Sequence, residues 1–95
     1  MDSLPLMSRF RKKPVVIIAA HYVTNYDSMP DWVRKASCEI FLDSGDRALE
    51  IHTLEGKMLC NRGDWVICGA KNEVYPCRRD IFELTYEEVT DYGIL

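Results

Sequence analysis

Short apolar segments separated by turn signals fill the middle of this chain of 95 residues, and they constrain its fold more than any other feature. Several of the turns contain glycine, which adopts positive φ angles without steric cost. Strands at this regular spacing favour an antiparallel sheet that rolls toward a small barrel. The predicted strands of this region are residues 38–43, 47–54, 57–60, 65–68 and 73–75.

The segments on either side complete the predicted sheet. The continuous apolar and β-branched run 15–22 predicts a central strand that is covered on both faces. Residues 55–56, Glu-Gly, predict a tight hairpin, and Pro76 places the end of the preceding strand at a sheet edge. The last segment is ambiguous, and we expect one helical turn over 79–82 followed by a strand over 83–89.

One stretch, residues 28–36, has the pattern of an amphipathic helix. Ser28 is placed to cap the first turn, and Asp31 follows it at the position of a capping-box acid. A single apolar stripe runs along this helix, formed by Met29, Trp32, Val33 and Ala36. We therefore predict an α+β fold with five or six antiparallel strands in a partly barrel-like sheet and one packed helix. Residues 1–95 form a single domain, of which 1–8 are a flexible extension.

Composition and charge exclude several classes of protein. An apolar fraction of 47% and a charged fraction of 28% are ordinary for a globular domain. A net charge of -3 argues against duplex binding, although the basic arm 9–13 leaves open a local contact with nucleic acid. No apolar run is long enough to cross a bilayer, and the start lacks a signal peptide. We expect a cytosolic protein with reduced cysteines.

Candidate catalytic and metal-binding residues form no recognisable motif. Glu50 and His52 share one strand face, and Cys60 lies across the hairpin, where it could approach them if the strands are in register. The cysteines at 60, 68 and 77 match no zinc-binding spacing, so buried thiols are expected. We predict no catalytic residue, no metal, no cofactor and no enzymatic activity.

The hypothesis of a binding site rests on acidic, aromatic and arginine residues between positions 64 and 79. Asp64 and Trp65 place a carboxylate beside a large ring, either as a core residue with a turn-capping acid or as part of a surface. Tyr75, Arg78 and Arg79 suit the capture of an anionic ligand or a protein groove. These five residues are the predicted binding site.

Several motifs occur together in one order: MSRFRKKPVVI from Met7, then IHTLEG, GDWVICG, EVYPC and DIFELTYE. With these motifs the chain, from Met7 to about Val89, resembles a family of small proteins of bacteriophages and prophages. It departs from that family at Ile18, where an acid is common, and at 61–62, where a proline often precedes the GDW motif.

The resemblance implies a setting, the host bacterial cytoplasm, and not an activity. Our first functional hypothesis is a non-catalytic phage accessory protein that binds and modulates a bacterial host protein, inhibiting an anti-phage defence system. The alternative is a protein that binds and sequesters a nucleotide-like small molecule, with Arg78 and Arg79 meeting phosphate. A homodimer through an edge strand near Val74 or at the C-terminal end is also expected.

Overall fold

A computed structural model describes residues 7–11, 13–90 and 93–94 of the chain. A single 3-10 turn, Tyr26–Ser28, precedes the first helix. The two helices are α1 (Asp31–Lys35) and α2 (Arg79–Thr85). The strands are β1 (Ile18–His21), β2 (Ser37–Phe41), β3 (Arg47–Thr53), β4 (Gly56–Asn61), β5 (Trp65–Cys68), β6 (Val74–Cys77), β7 (Val89–Thr90) and β8 (Gly93–Ile94).

The strands form three antiparallel sheets. One sheet has the order β1-β5-β6, a second is the meander β2-β3-β4, and β7 pairs with β8 in a small ribbon. β6 also lies against β3 and β4, which joins the two larger sheets. The predicted α+β class with antiparallel strands is confirmed. The described strands do not close into a barrel, and a partly barrel-like form of the sheet stays a prediction.

The core lies between the two larger sheets and α1. The meander presents Leu49, Ile51 and Cys60 to this core, because Cys60 pairs with Leu49 and therefore faces the same side. The other members of the buried cluster are Tyr22, Met29, Val33 and Val66. Burial of an aliphatic side chain of this size stabilises a fold by about 1.5–3 kcal/mol.

The predicted helix 28–36 is present but shorter, and Ser28 does not cap it. Ser28 closes the 3-10 turn instead, where its backbone N–H donates to Asn25 Oδ1 at 2.9 Å. Pro30 precedes α1, and its fixed φ suits that position. Val33 is fully buried, so the helix packs on the core with the predicted stripe.

The prediction that 15–22 is a covered central strand is wrong. β1 spans only part of that run, and within the described sheets it pairs with β5 alone. Val16 is 76% exposed and Ile18 is 63% exposed. An apolar run indicates a strand, but whether it is central depends on strand order, which this pattern does not encode.

The C-terminal prediction is wrong in its boundaries. α2 continues through Thr85, so the first three residues of the predicted strand 83–89 are helical. The predicted edge at Pro76 is confirmed, because β6 is the last strand of its sheet. The predicted homodimer stays a prediction. Of the predicted extension 1–8, residues 1–6 lie outside the described part of the chain.

Within the described part of the chain, no helix has the length and apolar character needed to cross a membrane.

Candidate functional site

A groove with a volume of about 750 Å³ lies between the segment 13–17 and the region of α2. We call it the groove. Its floor includes the rings of Trp65 and Phe82, and residues 85–89 continue its far wall. Known small-molecule pockets span about 300–1,000 Å³, so the groove has room for several side chains of a partner. Its lining is mostly apolar.

Four aromatic rings contact one another in series, and we call them the aromatic stack; three of them, Trp65, Phe82 and Tyr86, line the groove. His21 and Trp65 are paired across β1 and β5, and their rings stack with centroids 4.3 Å apart. The Trp65 ring stacks on Phe82 at 4.1 Å, and Phe82 contacts Tyr86 at 5.1 Å. The stack therefore connects the sheet to α2. His21 Nε2 also lies 2.8 Å from the carbonyl oxygen of Gly63, which fixes the first ring.

The Asp64 carboxylate ties the turn before β5 to the start of α2. Its Oδ2 accepts from the backbone N–H of Asn61 at 3.3 Å, and its Oδ1 accepts from the backbone N–H of Arg79 at 3.0 Å. The reading of Asp64 as an acid that hydrogen-bonds the turn backbone is therefore confirmed. The same carboxylate positions α2 over Trp65.

The wall of the groove exposes aliphatic side chains to solvent. Val15, Val16 and Val89 all line it and are 48%, 76% and 44% exposed. The lining also contains charged residues, with Lys13 on one segment and the pair Glu87 and Glu88 on the other. Single exposed apolar residues are ordinary, whereas these three share one concave lining.

The floor also holds an unsatisfied donor. The indole Nε1 of Trp65 is buried, and it has no hydrogen-bond partner among the described residues. A buried donor of this kind costs about 1–3 kcal/mol. The position of this ring is thus maintained by stacking and not by a hydrogen bond.

The predicted site residues do not form one surface. Asp64, Trp65 and Arg79 lie together, but the guanidinium of Arg79 pairs with Glu83 at 3.2 Å. The Arg78 guanidinium pairs with Asp80 at 2.8 Å. Both arginines therefore already have a carboxylate partner.

Tyr75 lies on β6 and lines a second, smaller cavity beside the β3–β4 hairpin. Burial, followed by the electrostatic influence of Tyr86 and a shared hydrogen bond with it, raises the pKa of Tyr75 to about 12. The hydrogen bond between the two hydroxyl groups links β6 to the last ring of the aromatic stack.

The residues that sequence reasoning missed are those of the segment 13–17 and α2. Residues 15–17 belong to a run that predicts a covered strand. Only 79–82 of α2 are predicted to be helical, because the alternation of Phe82, Leu84 and Tyr86 favours a strand over 83–89. The spacing of four between Phe82 and Tyr86 was the available signal, because it places both rings on one face of a helix.

No family model, curated protein or solved structure matches this chain.

Proposed function

We propose that this chain is a phage accessory protein that binds and modulates a bacterial host protein, and that the groove is its contact surface. The observation that carries the proposal is the exposure of Val15, Val16 and Val89 along one concave lining. Burial of a fully exposed aliphatic side chain gains about 1.5–3 kcal/mol, and these valines, which are already partly buried, gain a proportionate part of that. The aromatic floor adds a large rigid contact, which is typical of interface centres.

The chemistry of the lining also indicates the partner. The lining contains two carboxylates, Glu87 and Glu88, against one cation, Lys13, so its charge is negative on balance. The expected ligand is a protein segment that inserts an aliphatic side chain over Trp65 and places a basic residue against the acidic pair. Charge complementarity of this kind favours the rate of encounter and the choice of partner.

The biological setting of the proposal comes from the motifs in the sequence. Their resemblance to phage and prophage proteins supports action in the host bacterial cytoplasm, with a host anti-phage defence system as the target. The nucleotide-sequestering alternative draws less support, because Arg78 and Arg79 each lie beside a carboxylate, Asp80 or Glu83, whose negative charge weakens the attraction of a phosphate.

Two substitutions of similar side chains test the groove. Val16→Asp places a charge in its lining, whereas Leu84→Asp places the same charge on α2 outside the lining, at a side chain that is 86% exposed. We expect Val16→Asp to weaken binding of the purified host protein at least tenfold, the equivalent of about 1.4 kcal/mol. We expect Leu84→Asp to leave the affinity unchanged.

The host protein is identified by capture from a bacterial lysate, and the complex is then reconstituted from purified components. Affinity is measured by titration calorimetry. Equal affinity for Val16→Asp and the unsubstituted protein, with both variants folded, would contradict the proposal. So would a wild-type protein that forms no stoichiometric complex with any captured host protein.

A further inference from the structure

A thiol, a carboxylate and an imidazole meet on the outer face of the β2–β3 meander. Cys38 of β2 is the direct cross-strand partner of Glu50 of β3, and His52 follows Glu50 two residues later on the same face. Cys60 was expected to approach this pair only if the strands were in the required register, and it is instead buried on the opposite face. Cys38 takes that place because the turn before β3 sets its register.

Their ligand atoms converge closely. Glu50 Oε1 lies 4.0 Å from Cys38 Sγ and 3.7 Å from His52 Nε2, and one ligand atom from each residue lies within 4.8 Å of the other two. A tetrahedral zinc ion with bonds of about 2.0–2.3 Å holds its ligand atoms about 3.3–3.8 Å apart. Small side-chain rotations are thus enough to reach binding geometry.

The arrangement differs from that of a nucleophilic cysteine. In a catalytic triad the imidazole stands between the nucleophile and the carboxylate. Here the Glu50 carboxylate stands between Cys38 and His52, so the imidazole is not aligned on the thiol. Three converging ligand atoms of types that zinc prefers fit metal binding better.

We propose that Cys38, Glu50 and His52 bind a zinc ion, with water completing a four-coordinate site. Thiolate, imidazole and carboxylate are the ligand types that proteins use for zinc. Two of the three positions are fixed by the β2–β3 ladder. The backbone N–H of His52 donates to the carbonyl oxygen of Ala36 at 2.8 Å, which extends the ladder to the third.

A resident cation competes for the same carboxylate. Lys57 of β4 pairs across from His52, and its Nζ lies 3.5 Å from Glu50 Oε1. Zinc must displace this ammonium group or share the carboxylate with it. Removal of the charge by Lys57→Met should therefore tighten zinc binding, whereas a structural role of Lys57 alone would not predict that result.

Zinc chloride is titrated into tag-free protein and followed by calorimetry, with competition against a chelator of known affinity. We expect one equivalent of zinc to bind, and we expect Cys38→Ser, Glu50→Gln and His52→Ala each to weaken binding at least tenfold. Cys68→Ser and Glu55→Gln are matched controls outside the cluster, and we expect both to bind like the wild type. Substoichiometric binding by folded wild-type protein would overturn the proposal.

Cobalt provides a second readout that detects the thiolate itself. Cobalt bound to Cys38 gives a thiolate-to-metal charge-transfer absorption, which should disappear in Cys38→Ser and persist in Cys68→Ser. Persistence of the band in Cys38→Ser would assign the metal to another cysteine and refute the site. Zinc binding by Val16→Asp should equal that of the wild type, so this test does not depend on the groove.

Discussion

Phe82→Ala is expected to detach α2 from the sheet without unfolding the core. No side chain of α2 is fully buried. The helix contacts the rest of the molecule through the stack of Phe82 on Trp65 and through the hydrogen bond from the Arg79 N–H to Asp64. Phe82 is the larger contact, so its removal should release the helix.

The magnitude follows from the burial of the ring. Truncation of a fully buried phenylalanine to alanine costs about 3–5 kcal/mol. Phe82 is only partly buried, which lowers that cost, while its stacking on Trp65 contributes about 0.5–1.5 kcal/mol beyond area. We therefore expect the free energy that holds α2 against the sheet to fall by about 2–3 kcal/mol. The fall cannot be larger than that free energy itself.

Hydrogen exchange with mass spectrometry measures this loss locally. Within α2 and just after it, the amides of Phe82 and Tyr86 are bonded to the carbonyl oxygens of Arg78 and Phe82. A loss of 2–3 kcal/mol corresponds to an increase in exchange rate of about 30- to 150-fold. The amides of β3 should exchange as in the wild type, because that strand lies in the core.

Leu84→Ala is the matched control on the same helix. Leu84 is 86% exposed, so its truncation should change stability by less than about 0.5 kcal/mol. The reasoning fails if Phe82→Ala leaves the α2 amides protected, or if Leu84→Ala exposes them to the same degree.

Two further predictions concern buried and turn residues. Burial raises the pKa of the Cys60 thiol to about 12, so at pH 8 about one molecule in 10⁴ is a thiolate, against roughly a quarter for a free thiol of pKa about 8.5. Iodoacetamide should thus label Cys60 at least about 2,000-fold more slowly in native than in urea-unfolded protein, and similar rates by mass spectrometry would refute its burial. Asp64→Ala removes two hydrogen bonds to backbone N–H groups and should lower the free energy of unfolding by about 1–3 kcal/mol. Denaturant titration measures that loss, and a value near zero would contradict the role of Asp64.

Local patterns predicted the meander and β5 well. The boundaries of β5 agree with the prediction, and β3 ends one residue early. Alternating burial and a glycine turn are local signals, so they can be recognised in a single sequence. The same local patterns did not predict the end of α2. The alternation of Phe82, Leu84 and Tyr86 fits a strand, whereas the spacing of four between Phe82 and Tyr86 fits a helix. Packing against Trp65 decides between them.

The candidate sites depended on register and on strand order. A hairpin turn at 54–55 pairs Glu50 with Leu59, so the next residue, Cys60, faces the core. The face on which Cys60 lies follows from the position of the turn, which the sequence indicates. Cys38 required the register of a second turn as well. The groove could not be predicted from local patterns, because it forms only where a segment before β1 meets a helix after β6.

The pairing of β1 with β5 has a consequence for the order of folding. It brings residue 18 against residue 68, whereas the strands of the meander pair with their immediate neighbours in the chain. Contacts between distant residues form slowly, because the chain loses the entropy of a large loop before it gains them. During synthesis the meander can therefore assemble first, with the zinc ligands in place. The groove, whose walls come from both ends of the chain, completes only after most of the polypeptide has left the ribosome.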